Sequence, residues 1–179
     1  MFIIQKEVSS GIRAREWNAT AIQTLLNAAE HPSERVRARL FACSYFADRG
    51  ETVLSGELLD EALQIVSEKE SEFGLLAQAV WLEKACNLAG KENNPAAASE
   101  MLSKVSASGE EFDSGKYYAR AAIKVAEQDG EGALALIDSA ADALQKSYRR
   151  TGYDIASNME ELESLRNSAL SLLNPEKEK

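Results

Sequence analysis

The chain has 179 residues, 45 % of them hydrophobic, which is enough for one substantial core. Its formal net charge of -9 argues against a nucleic-acid binder and against an anionic membrane surface, because both partners require a positive footprint. Only 3 prolines and 10 glycines interrupt a sequence rich in Ala, Leu, Glu, Lys and Gln, the residues that lose least on entering a helix.

Residues 1–12 read as an N-terminal lead; the apolar patch at its start has neither signal-peptide length nor a basic leader. No stretch approaches the length of a transmembrane helix, and the default expectation is a cytoplasmic protein. The first helix is expected from about Arg13 to Glu30, with Trp17, Ala21, Leu25 and Ala28 on one face. His31-Pro32 breaks it. Ser33 is the expected cap of a second helix reaching Arg49, with Val36, Leu40, Cys43 and Ala47 inward, Phe46 beside them and Gly50 as terminator. A third helix covers about Leu54 to Lys69 with Leu58, Ala62, Ile65 and Val66 inward. A fourth runs from Ser71–Glu72 to Ala89 and carries Phe73, Leu76, Ala77, Val80 and Leu88, with Gly90 closing it.

Asn94-Pro95 starts a short fifth helix that ends near Ser106, a cap followed by proline at the first helical position. Ser108 and Glu111 have capping-box spacing ahead of a sixth helix that holds Tyr118, Ala121, Ala122 and Val125. Asp129-Gly130 separates it from a seventh, with Leu134, Ile137, Ala141 and Leu144 inward. A loop is expected over 149–154. Ser157 and Glu160 repeat the capping-box spacing before an eighth helix whose face is Leu162, Leu165, Ala169 and Leu172. Asn174-Pro175 ends it, and 175–179 reads as a disordered charged tail. Residues 13–174 thus form a single all-α domain.

An offset of 39 residues sets 61–73 against 100–112. Glu61, Leu63, Val66, Ser67, Glu72 and Phe73 then coincide with Glu100, Leu102, Val105, Ser106, Glu111 and Phe112. Helix starts recur near 33, 71 and 111, two helices per interval. A single helix hairpin cannot bury its own apolar face, so such units must stack. The pairs over 33–147 resemble tetratricopeptide repeats, with Leu40, Ala42 and Tyr45 echoing first-helix positions and Ala62 and Ala98 second-helix positions. The intervals are longer than that family's, and its terminal proline is missing from every pair. The resemblance implies antiparallel helix-hairpin repeats stacked as a short right-handed solenoid, with a concave surface that binds a protein or peptide.

Enzymatic signatures are missing. His31 is the only histidine, Cys43 and Cys86 lie far apart, and no CxxC, EF-hand or Gly-rich phosphate loop occurs. The run 109–116 ends in Gly-Lys without the preceding glycine spacing. Glu110 with Glu111, and Glu160, Glu161 and Glu163, read as acidic helix surface. The expectation is a non-enzyme with no cofactor, no metal and two free thiols.

Positive residues are the minority, and they form rows. Lys116, Arg120 and Lys124 are spaced four apart on the sixth helix, and Arg35 and Arg39 are spaced four apart on the second. Both helices are the first of a pair, which in the resembled family line the concave face, so both rows are candidates to contact an acidic segment of a partner. Tyr148 and Arg149, with Arg150 and Tyr153 beside them, form a second candidate contact, since interfaces favour Tyr and Arg. Tyr117 and Tyr118 are adjacent, so both cannot face one core. The alternatives are a homodimer seamed through Ala156–Leu173 and a small-ligand-sensing regulatory protein.

Overall fold

The structure, a computed structural model, describes residues 18–152 and 155–174. Regular structure among them is entirely helical. The helices are α1 (Ala19–Ala28), α2 (Pro32–Ala47), α3 (Thr52–Glu68), the single turn α4 (Glu70–Phe73), α5 (Leu75–Gly90), α6 (Pro95–Ser103), α7 (Glu110–Ala126), α8 (Gly130–Thr151) and α9 (Ala156–Leu173). The N-terminal lead, Trp17, Tyr153 and the charged tail lie outside the described residues.

Local chemistry accounts for most helix ends. Asn18 caps α1 by accepting from the Ala21 N–H at 2.9 Å, and Asn94 caps α6 through the Ala97 N–H at 3.2 Å. His31, not Ser33, caps α2. Its Nδ1 accepts from the Ser33 N–H at 3.3 Å, while Glu34 reaches back to the His31 N–H at 3.3 Å and Pro32 stands at the first helical position. The caps of α7 and α9 are Gly109 and Ile155, and neither makes a side-chain cap bond.

Three boundaries differ from the sequence expectation. The helix expected from 71 to 89 is broken at Gly74, whose φ of 52° and ψ of -121° suit a residue without Cβ. This break leaves α4 as one isolated turn. Helix α8 continues through Arg149 and Arg150 to Thr151 and stops where Gly152 turns left-handed, its N–H donating to the Tyr148 carbonyl at 2.7 Å. Helix α6 stops at Ser103, and in the link that follows the Ser106 hydroxyl and the Ala107 N–H both donate to the Gln78 side-chain oxygen on α5.

Packing follows chain order. Helix α2 packs on α3, α3 on α5, α5 on both α6 and α7, α7 on α8, and α8 on α9. Smaller contacts join α1 to α2, α2 to α5, α6 to α7 and α7 to α9, and none of the described helices packs substantially on one more than three positions away. Helix α5 is central: no residue from Ala77 to Ala89 is exposed. A helix that is apolar all round is one surrounded by others. Alanines at 79 and 85 on α5 and at 119 and 122 on α7 are buried, and such small side chains let helix axes approach.

The main core holds Val36, Leu40, Val66, Val80, Leu82 and Ile137, with Trp81 buried among them. A second cluster of Ile22, Phe41, Tyr45, Phe46 and Leu58 joins α1 to the first hairpin, and a third around Leu88, Ala98 and Ile123 seats α6. The side chain that anchors α1 is Ile22, fully buried, not the expected stripe through Ala21 and Ala28. Helix α2 buries Phe41, Ala42 and Tyr45 in addition to its expected face, because α1, α3 and α5 enclose it.

Candidate functional site

Helices α2 and α3 are antiparallel, and where the N-terminal half of α2 faces the C-terminal half of α3 they leave a groove of ≈ 370 Å³. Helix α2 supplies Pro32, Arg35 and Arg39, while α3 supplies Glu61, Gln64, Ile65 and Glu68. Lys69 and Phe73 close the far end. Phe73 is there because the Gly74 conformation ends α4 after one turn, and its ring also packs against the main core.

The charges of this groove are not equivalent. Arg39 is largely covered, its side chain 15 % exposed; Nε donates to Glu61 Oε2 at 2.7 Å and a terminal nitrogen to the Arg35 carbonyl at 3.3 Å. That pair bridges the hairpin and closes one end of the groove. Lys69 lies 3.4 Å from Glu72 on the open surface. Arg35 and Glu68 are exposed, and neither side chain pairs with a described residue. Gln64 is exposed on the wall between them.

The basic row of α7 is engaged differently. Lys116 donates to the Ala107 carbonyl and lies 3.7 Å from Asp113, so it staples the α6–α7 link. Lys124 lies 3.2 Å from both Glu127 and Asp129, and its hydrogen bonds to them hold its ammonium above the usual range. Arg120 between them is exposed. Helices α2 and α7 share no substantial packing. Tyr148, 49 % exposed, and Arg149 lie in the last turn of α8, where Arg150 donates to Glu110 at 2.8 Å. Tyr117 and Tyr118 are both partly buried against the main core, since α7 is enclosed by four other helices. Burial raises the Tyr118 phenol well above its ordinary value.

Cys43 and Cys86 are free thiols. Burial pushes both up; Cys43 lies 3.2 Å from the Ser55 hydroxyl, and Cys86 is buried with its sulfur 3.7 Å from the Gly115 carbonyl. Among the described residues, no group of three or more His, Cys, Asp or Glu side chains could hold a metal ion, and no helix is long and apolar enough to cross a membrane. Gln64, Ile65, Lys69 and Phe73 were absent from the sequence-based site. The one sequence signal for them is a phenylalanine followed by glycine inside the charged run 68–74.

No family model, no curated protein and no solved structure matches this chain.

Proposed function

We propose that the chain is a protein-interaction module of helical-repeat type that takes a short peptide segment of its partner in the α2–α3 groove. In this reading α2/α3, α5/α6 and α7/α8 are three hairpins of a short right-handed solenoid and α9 is its cap. The chain-order packing supports the stack, and so does the contact of α2 with α5, α5 with α7 and α7 with α9. The sequence likeness of 61–73 to 100–112, at an offset of 39 residues, supports the repeat through Glu61 and Leu63 against Glu100 and Leu102, while Val105 and Ser106 lie in the link after α6.

The observation that carries the function is the groove itself, where Arg35, a guanidinium without a described ion-pair partner, lines the same recess as Ile65 and Phe73 in a chain whose net charge is -9. A recess that sets charged side chains beside the apolar surface of Pro32, Ile65 and Phe73 offers a peptide both polar and apolar contacts. The exposed side of α9 is mostly polar, with Glu160, Glu163, Asn167 and Ser171, and carries Leu170 and Leu173 near its C-terminal end. Two free thiols suit a reducing, cytoplasmic setting.

The test is a peptide array probed with labelled protein, beside the variant Gln64→Trp, which fills the groove from an exposed position. Binding should be lost in the variant while its circular dichroism stays unchanged. Equal binding by both proteins, or no binder on the array, overturns the reading.

A further inference from the structure

We infer that the groove selects a peptide carrying a single carboxylate followed, two residues on, by a large apolar side chain, with Arg35 as the specificity-determining residue. This rests on the peptide-binding reading above and adds the chemistry of the ligand.

Register along the hairpin sets what stands where in the groove. Arg39 meets Glu61 across the antiparallel hairpin at 2.7 Å. One turn back along α2 and one turn on along α3, about 5.4 Å further, bring Arg35 to the level of Ile65. Another turn brings Pro32 to the level of Glu68, beside Lys69 and Phe73. The groove therefore has three levels: an internally neutralised pair, a guanidinium over an aliphatic floor, and an aromatic ring flanked by a carboxylate.

Charge complementarity selects the occupant. Arg39 already answers Glu61, and Lys69 already faces Glu72. Arg35 is the groove's one guanidinium without a described ion-pair partner, and its planar fork suits a carboxylate. Glu68 stands one level on, also without a described partner, and would repel a second carboxylate. One acid is accommodated and an acidic run is not. In an extended peptide, residues i and i+2 point to the same side about 6.6 Å apart, close to the helical turn of about 5.4 Å that separates the level of Arg35 from that of Pro32 and Phe73. The apolar side chain then falls between Pro32 and Phe73, away from bulk water.

The probe is an array of amidated peptides Ser-X-Ser-Z-Ser in which X and Z run over all residues, read with the labelled full chain. Binders should concentrate at X = Asp or Glu and Z = Leu, Ile, Met or Phe. Replacing Glu by Gln at X should weaken anisotropy-measured binding about tenfold, the scale of one charge-assisted hydrogen bond. Arg35→Gln, at an exposed position, should erase the preference at X while leaving the preference at Z. Arg35→Glu should move the preference at X to Lys and Arg. Binders with no acidic preference, an acidic preference that survives Arg35→Gln, or tighter binding when the flanking serines are also made Glu would each overturn the inference while leaving a peptide groove in place. An array with no binder at all removes the groove reading together with it.

Discussion

Gly130, at the start of α8, lies so close to Ala169 of α9 that a Cβ added to it would stand 2.7 Å from the Ala169 carbonyl oxygen and 3.0 Å from Leu173 Cγ. Backbone has nowhere to yield at that distance, so the approach of the last helix onto the domain depends on the missing side chain. Gly130→Ala should therefore destabilise the domain by about 1–3 kcal/mol, the scale of overpacking in a tight contact. Gly56→Ala supplies the contrast. It lies within α3 with open space around it, and alanine there should stabilise by about 0.5–1 kcal/mol. Paired urea titrations of the two variants check both signs; equal effects would contradict the packing of α8 on α9.

The Lys84 side chain is 11 % exposed and bridges Asp60 of α3 at 2.8 Å to Glu92 of the α5–α6 link at 3.1 Å. Burial acts to lower its pKa, but its hydrogen bonds to Asp60 and Glu92 outweigh burial, and the ammonium is held above its usual range. A raised cationic pKa contributes stability that is fully present below the unfolded value, about 10.4, and is lost as pH rises through the folded value. Lys84→Met should therefore be less stable than the parent by about 1 kcal/mol at neutral pH, with both carboxylates solvent-exposed, and the gap should narrow only in the alkaline limb above pH of about 10. Chemical denaturation at neutral and strongly alkaline pH measures it; a gap that widens there would refute the sign.

The capping of α2 by an imidazole is a third point to probe. His31→Ala removes the acceptor for the Ser33 N–H and should cost about 0.5–2 kcal/mol, while His31→Asn, a strong capping residue, should hold the parent's stability or exceed it. Thermal unfolding of the two variants separates loss of the cap from loss of the ring. Matching losses in both would show that the imidazole does something other than cap.

Gly74 sits at φ 52° and ψ -121° with nothing within 4 Å of where a Cβ would be, so any cost of Gly74→Ala comes from the backbone alone. That cost should be about 1–3 kcal/mol. Because the turn before it seats Phe73, hydrogen exchange should rise in α4 and the end of α3 before it rises in α7 or α8. Uniform loss of protection across the chain would contradict a local role.

Much of the fold was legible before any coordinates, and the reason is that helix signals are local. Apolar spacing over three or four residues, Asn before proline, and glycine at the ends of α2 and α5 act within one turn, and they locate most of the described helices to within a few residues. The break at Gly74 was harder to read, because glycine inside a periodic apolar pattern is tolerated in many helices and only the φ adopted in the folded chain distinguishes the two cases.

The site was decided by tertiary structure. Spacing of four put Lys116, Arg120 and Lys124 on one row, yet nothing in the spacing says that Lys116 answers the Ala107 carbonyl or that Lys124 answers Asp129. Arg39 and Arg35 are one turn apart and look alike in sequence; a carboxylate 22 residues away takes the first and leaves the second to solvent. Phe73 reaches the groove only because a one-turn helix ends beside a glycine that no other residue replaces easily. Helix identity follows from forces between near neighbours in the chain. Which charge is neutralised, and which cleft stays open, follows from how antiparallel helices bring distant residues together, and only the packed molecule carries that information.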